Sequence, residues 1–183
     1  MTKILGIAGS LRRASYNAAL LRAARELAPE GVEIEIASIA GIPLYDGDVE
    51  AEQGPPAAVT ALKEKIATAS ALLLVTPEYN SSIPGVLKNA IDWVSRPAKD
   101  IPRVFGGKPV ALLGATPGAG GTRLSQAAWL PVLRTLGTHA WFGKQLYVGS
   151  AGQAFDADGK LVDEKVKKQL GDLVAAFAAT VRA

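Results

Sequence analysis

The chain has 183 residues, 49% of them hydrophobic and 20% charged, with a net charge of +3; these are the proportions of an ordinary globular protein long enough to bury one full core. With no cysteine and one histidine, His139, disulfides, thiol catalysis and thiolate metal sites are excluded, too few ligands remain for a histidine-based metal site, and no metal is expected. The lysines and arginines are scattered without a basic run or aromatic platform, which argues against nucleic acid; no apolar run is long enough to span a membrane and Met1-Thr2-Lys3 leads straight into a strand rather than a signal segment, so a cytoplasmic protein is expected.

The first apolar run, residues 3–8, reads as a strand, and a helical pattern covers residues 15–27. Between and across them lies Gly9-Ser10-Leu11-Arg12-Arg13-Ala14-Ser15-Tyr16-Asn17. Small residues, hydroxyls, an amide and two arginines therefore gather where a strand turns into a helix. A helix N-terminus carries free N–H groups and partial positive charge, so two arginines beside it are repelled unless an anion lies between. A phosphate satisfies the arrangement by taking backbone N–H groups, the Ser10 and Ser15 hydroxyls, the Asn17 amide and one guanidinium. The plainer alternative makes Ser15 a simple N-cap beside solvated arginines.

The second strand, residues 32–37, alternates apolar and acidic residues, as an edge strand with one wet face does. The acidic stretch Asp46-Gly47-Asp48-Val49-Glu50 reads as a solvated loop, and residues 56–69 as a helix. Leu72-Leu73-Leu74-Val75 lies in a third strand, residues 71–76, whose continuous apolar run predicts burial on both faces. Pro77-Glu78-Tyr79-Asn80-Ser81-Ser82 is a turn by composition. In the helix of residues 84–94, Val86, Leu87, Ala90, Ile91 and Val94 recur at helical spacing and face the core or a partner subunit. Trp93 reads as packing, and Lys88 and Asn89 as a solvated face, with contact to a second subunit the alternative. A fourth strand covers residues 109–114, a glycine-rich loop runs from Ala115 to Thr122, and a helix covers residues 122–136. His139, in a structural or surface role, precedes a fifth strand over residues 140–148. A final helix spans residues 163–182.

This βα alternation predicts one domain over residues 1–183, a doubly wound five-stranded parallel sheet of order 2-1-3-4-5 with helices on both faces. Ligands of such sheets bind at the carboxyl ends of the strands where the order reverses, beside strands one and three. The arginine–serine turn, the Pro77–Asn80 turn and the Gly118-Ala119-Gly120-Gly121 loop all fall on that rim. Tyr79 places a ring at its mouth, Asn80 offers donor and acceptor, and the N–H groups of residues 78–80 can face a flat heterocycle. The glycines either let backbone approach a ligand or form a flexible connection. Arg123 suits a second substrate as well as it suits a surface. Gly6-Ile7-Ala8-Gly9 lacks the G-x-G-x-x-G fingerprint, and Gly106-Gly107-Lys108-Pro109 lacks the Ser or Thr of a nucleotide-hydrolase loop. A mononucleotide with one terminal phosphate remains.

Over nearly its whole length the chain resembles the NAD(P)H-dependent FMN reductases of the flavodoxin-like superfamily, the group that includes bacterial quinone and chromate reductases. The resemblance rests on G-S-x-R-x-x-S-x-N at Gly9, Ser10, Arg12, Ser15 and Asn17, and on P-E-Y-N-x-S-x-P-G-x-L-K-N-A-I-D-W from Pro77 to Trp93. Ile42-Pro43-Leu44-Tyr45-Asp46 and Ala154-Phe155-Asp156 are also similar. The resemblance implies FMN, with its phosphate at Ser10, Arg12, Ser15 and Asn17; one phosphate does not need both arginines, and Arg12 is the one expected on it, with Arg13 solvated. Pro77, Glu78, Tyr79 and Asn80 would run along the isoalloxazine ring, with Gly120 and Gly121 near its pyrimidine side. It implies a homodimer or homotetramer, and NADPH or NADH as donor to quinones, flavins, azo compounds or chromate. Ser81 stands where some relatives carry tyrosine, at the substrate mouth. No catalytic side chain is expected, because the hydride chemistry belongs to the flavin; donor and acceptor sharing one open face would give ping-pong kinetics. An electron carrier of the flavodoxin type is the alternative, disfavoured by the basic charge and the arginine turn. A receiver-like regulatory domain is disfavoured by the lack of an acidic cluster at the strand ends.

Overall fold

A computed structural model describes residues 1–182. The first strand, β1 (Thr2–Ala8), is followed by α1 (Tyr16–Glu26), β2 (Val32–Ala37), α2 (Gly47–Gln53), α3 (Ala57–Thr68) and β3 (Ala71–Val75). The chain continues through α4 (Gly85–Val94), a 3₁₀ turn at Ala98–Asp100, α5 (Ile101–Phe105), β4 (Pro109–Ala115) and α6 (Arg123–Thr135). It ends with β5 (His139–Ala140), β6 (Tyr147–Val148), α7 (Ala151–Ala154) and α8 (Glu164–Arg182).

The strands are parallel and ordered β2-β1-β3-β4-β5, with β6 also paired to β4. β3 lies at the centre and every residue in it is buried, which is why its sequence is apolar without alternation. Helices cover both faces. On one side Leu20, Leu21, Leu170, Leu173 and Phe177 of α1 and α8 pack against Ile4, Leu73 and Leu113. On the other, Leu62, Ile66, Leu87, Ile91, Trp93 and Trp129 pack against Leu5, Ile7, Leu72 and Leu74. Each fully buried side chain of this size contributes about 1.5–3 kcal/mol against the ordering entropy. α4 buries Leu87, Ala90, Ile91 and Val94 in this way, so its apolar stripe faces the core.

The structure departs from the sequence expectation in three places. The fifth strand is two short pieces: His139–Ala140 pairs with the start of β4 and Tyr147–Val148 with its end, while the segment between them keeps only the Trp141 N–H and the Leu146 carbonyl bonded to β4 and otherwise arches away. Trp141 begins the arch because its ring leaves the sheet to pack on Phe177 (centroids 5.2 Å apart) and its indole N–H donates to Thr180 of α8 at 3.1 Å. The acidic stretch 46–50 is largely helical: Asp46 caps α2, accepting the Asp48 N–H at 2.9 Å, and Asp48 and Glu50 lie in the first turn, where the helix dipole favours them. Finally, α5 and α7 are short helices without a periodic signal of their own.

Candidate functional site

The turn after β1 sits at the strand-order reversal. Its first residue donates its N–H to the Val75 carbonyl at 2.9 Å, and a Cβ at Gly9 would come within 2.7 Å of Leu87 and 3.0 Å of Pro77. Only glycine therefore lets this turn lie against the turn after β3. Ser10 Oγ accepts the Arg12 N–H at 3.3 Å, and Ser15 Oγ caps α1 by accepting the Ala18 N–H at 3.2 Å. The capping role of Ser15 leaves its hydroxyl proton to donate. The N–H groups of Tyr16 and Asn17 in the first helical turn have no protein acceptor among the described residues. Arg12 and Arg13 are exposed and form no salt bridge among the described residues. Both line a cleft of about 470 Å³ together with Asp156 and Asp158.

One predicted ligand needs correction. The Asn17 side chain is buried, donating to the Ala115 carbonyl at 2.8 Å and accepting the Ala115 N–H at 2.9 Å. The amide expected to face a phosphate instead ties α1 to the end of β4. Beyond that tie, Asn17 keeps its backbone N–H and the second proton of its amide as donors.

The turn after β3 is built as a rigid clasp. Tyr79 and Ser82 exchange backbone hydrogen bonds (3.2 and 3.0 Å) across Asn80 and Ser81, whose φ values are +50° and +60°. Two consecutive left-handed residues make a primed hairpin turn; asparagine tolerates this conformation, whereas Ser81 stores strain of about 1 kcal/mol or more. Behind the clasp, the Glu78 carboxylate accepts the N–H groups of Leu124 and Ser125 at 2.9 and 3.1 Å, so a side chain of one loop caps the helix that follows the other. Thr76 adds a buried knot: its hydroxyl bonds the Pro77 carbonyl (2.9 Å), the Ser125 hydroxyl (2.9 Å) and the Trp129 indole N–H (3.1 Å). Tyr79 itself is 42% exposed.

The glycine loop is fastened on its far side. Thr116 N–H donates to Val148, Ser150 N–H to the Gly118 carbonyl, and Ala151 N–H to Thr116. Gly121 has φ +68°, and a Cβ there would meet Tyr147 at 2.7 Å; Gly120 faces open space. The loop is therefore anchored rather than a flexible connection. Arg123 lays its guanidinium over the Tyr147 ring, 5.4 Å from the centroid.

Around this rim, Asn89 differs from the solvated face expected of it: it accepts the Tyr45 N–H at 2.9 Å and donates to the Pro43 carbonyl at 2.8 Å. Trp93, fully buried, donates to the same carbonyl at 2.9 Å and meets Tyr45 edge-on. Lys88 pairs with Asp92 at 2.7 Å on its own helix. His139 is exposed on β5. Phe155 packs on Tyr16, and Asp156 accepts the N–H groups of Asp158 and Lys160. Thr76, Ser125, Trp129 and Asn89, which hold the rim in shape, carry no local signal, since their partners are 44 or more residues away or are backbone atoms.

A doubly wound parallel sheet of order 2-1-3-4-5 with an anion-type turn at its switch point defines a flavodoxin-like α/β protein. The model of the NADPH-dependent FMN reductase family matches residues 2–153. The chain is 47% identical over 180 residues to an NAD(P)H-dependent FMN reductase of Pseudomonas aeruginosa, covering 98% of this chain and 95% of that protein. It is 41% identical over 180 residues to a 2-hydroxy-1,4-benzoquinone reductase of a Burkholderia species, covering 98% and 96%. The solved structure of the flavoenzyme NAD(P)H:acceptor oxidoreductase FerB of Paracoccus denitrificans superposes with a TM-score of 0.87 at 36% identity, covering 100% of this chain and 98% of that one. The chain belongs to the NADPH-dependent FMN reductase family. The donor set of the first turn fits the cofactor this family implies: hydroxyls, free helix N–H groups and a guanidinium are all donors toward a phosphate. Among the described residues no cluster of side chains could hold a metal, and no helix is long and apolar enough to cross a membrane.

Proposed function

We propose that this reductase holds FMN across its rim and uses NADPH or NADH to reduce quinones, with free flavins, azo compounds and chromate as further acceptors of the same chemistry. The observation that carries the reading is the arginine–serine turn, with its unsatisfied helix N–H groups, packed directly against the clasp after β3. FMN supplies the hydride-accepting and hydride-donating chemistry when bound. The chain supplies binding and orientation. Ser10, Ser15, Arg12 and the N–H groups of Tyr16 and Asn17 would hold the phosphate. Pro77, Glu78, Tyr79 and Asn80 would lie along the ring, and Gly120 and Gly121 near its pyrimidine edge, where backbone N–H groups favour negative charge. Because the clasp and the glycine loop are both anchored from behind, the protein need not reorganise when ligands arrive. No side chain at the rim is required as nucleophile or general base. One open face used in turn by donor and acceptor gives ping-pong kinetics. Association into a homodimer or homotetramer suits the 43–45 loop, which Asn89 and Trp93 brace so that Leu44 stands 86% exposed.

The test is the visible spectrum of the purified protein, followed by anaerobic addition of NADPH. A flavin spectrum that bleaches, with stoichiometric FMN released on heating, is expected. Bound FMN that NADPH leaves oxidised points to an electron carrier, and failure to bind supplied FMN overturns the reading.

A further inference from the structure

Between α6 and the arch of residues 141–146 lies a cleft of about 180 Å³. Val110 and Leu112 of β4 line part of it. Along β4 the peptide groups alternate in direction: Leu113 faces β3, accepting from Thr76, whereas Val110 accepts from Trp141 and Gly114 donates to Leu146 on the opposite side. Leu112 lies between Val110 and Gly114 in the same phase, so its N–H and carbonyl also point toward the arch. The arch has pulled away there, and no protein group receives them among the described residues. Backbone donors and acceptors in a partly buried position call for a partner.

The walls have a different chemistry. Phe142 is 61% exposed, and Tyr147 carries the Arg123 guanidinium over its ring. Lys144 stands on the arch; its field reaches Asp172 of α8, but neither Arg123 nor Lys144 forms a salt bridge among the described residues. The cleft thus combines aromatic surface, a donor–acceptor edge and two cations. Its position matters as much: Tyr147 packs directly on Gly121, so the cleft opens just behind the glycine loop of the rim. A quinone, or the anion of a hydroxyquinone, can use the aromatic surface but offers acceptors only, which leaves the Leu112 carbonyl without a donor. An adenine nucleotide brings a flat heterocycle, an edge with both donor and acceptor, and phosphates.

We propose that this cleft receives the adenosine-phosphate end of the nicotinamide dinucleotide, with Arg123 and Lys144 on its phosphates and Phe142 and Tyr147 against its base. The assignment rests on the reductase reading for its biological meaning. The interruption of the fifth strand is then a substrate feature, because an unbroken strand would occupy the cleft.

The test uses the FMN-loaded protein and two probes. Adenosine 2′,5′-bisphosphate is titrated calorimetrically into the wild type, Phe142→Ala and Lys144→Glu; both substitutions lie on the exposed arch, and circular dichroism checks that they fold. In parallel, kcat/KM is measured for NADPH and for reduced nicotinamide mononucleotide, which lacks the adenosine half. The bisphosphate should bind the wild type and bind Lys144→Glu roughly tenfold more weakly. The ratio of NADPH to mononucleotide kcat/KM should fall by a similar factor. A wild type that does not bind the bisphosphate, or a Lys144→Glu variant that loses both donors equally, overturns the cleft assignment while leaving the reductase reading standing. A loaded protein that oxidises neither donor overturns the reductase reading, and the calorimetric arm still decides the cleft.

Discussion

Replacing Glu78 with alanine removes the staple between the clasp after β3 and the start of α6. Its carboxylate accepts two helix N–H groups at 2.9 and 3.1 Å, and α6 has no side-chain cap from its own Thr122. Loss of a side-chain cap costs about 0.5–2 kcal/mol. Hydrogen bonds to a charged group reach about 1.5–3 kcal/mol each when well shielded. Glu78 is only half-buried, so solvent returns part of this and the net expectation is about 1–2 kcal/mol. For a chain of this length that lowers Tm by about 2–8 °C. Glu78→Gln keeps an acceptor oxygen and should recover about half the loss. Glu78→Ala also loosens Pro77–Asn80, so FMN affinity of the alanine variant should fall while the glutamine variant stays near wild type. Thermal melts of apoprotein and loaded protein, with fluorescence titration of FMN, separate the two effects. A Glu78→Ala protein with unchanged Tm and unchanged FMN affinity would refute the staple.

Further outcomes follow from other contacts. Asn17→Ala leaves the Ala115 N–H and carbonyl buried without partners and should cost about 2–4 kcal/mol in urea unfolding; an effect below about 0.5 kcal/mol would contradict its role as a tie. Gly121→Ala must place a Cβ against Tyr147 at φ +68°, and is expected to lose about 1–3 kcal/mol; a neutral melt would show that the loop relaxes freely. Glu35 on β2 is held below the ordinary carboxylate range by hydrogen bonds from Lys3 and Lys65. Its depressed folded-state pKa adds stability above the unfolded value, and that stability is lost as pH falls through the folded one. The urea midpoint of wild type should therefore exceed that of Glu35→Gln near neutral pH, and the gap should close in acid; a gap that persists unchanged in acid contradicts the ion pairs.

The fold was largely legible because its strongest signals are local. Leu72–Val75 and Val110–Leu113 are apolar without alternation since both faces of the sheet are covered, and Ser15 stands where α1 needs a cap. Strand order follows from handedness rules that need no partner information. The break in the fifth strand was not legible, because it depends on Trp141 meeting Phe177 and Thr180 on α8, more than 30 residues away. Residues 46–50 look like a solvated loop because α2 buries nothing; only its cap and dipole hold it.

At the candidate site, the rim loops could be located because residue type and topology agree there. The roles of individual side chains were harder to see. Asn17 has the chemistry of a phosphate ligand in a turn full of donors, yet its partner Ala115 lies 98 positions along the chain. Glu78 reads as a loop carboxylate, and its task as a helix cap appears only when residues 124 and 125 arrive beside it. Sequence patterns show which groups are available; distant backbone decides which of them are already engaged.

The most direct measurement of the central claim is a titration of the apoprotein with FMN and with riboflavin, in wild type, Arg12→Ala and Arg13→Ala. If the arginine–serine turn binds the flavin phosphate, FMN should bind the wild type on the order of a hundredfold more tightly than riboflavin. Arg12→Ala should remove much of that difference, and Arg13→Ala little of it. Equal affinity of the wild type for FMN and riboflavin would contradict the account.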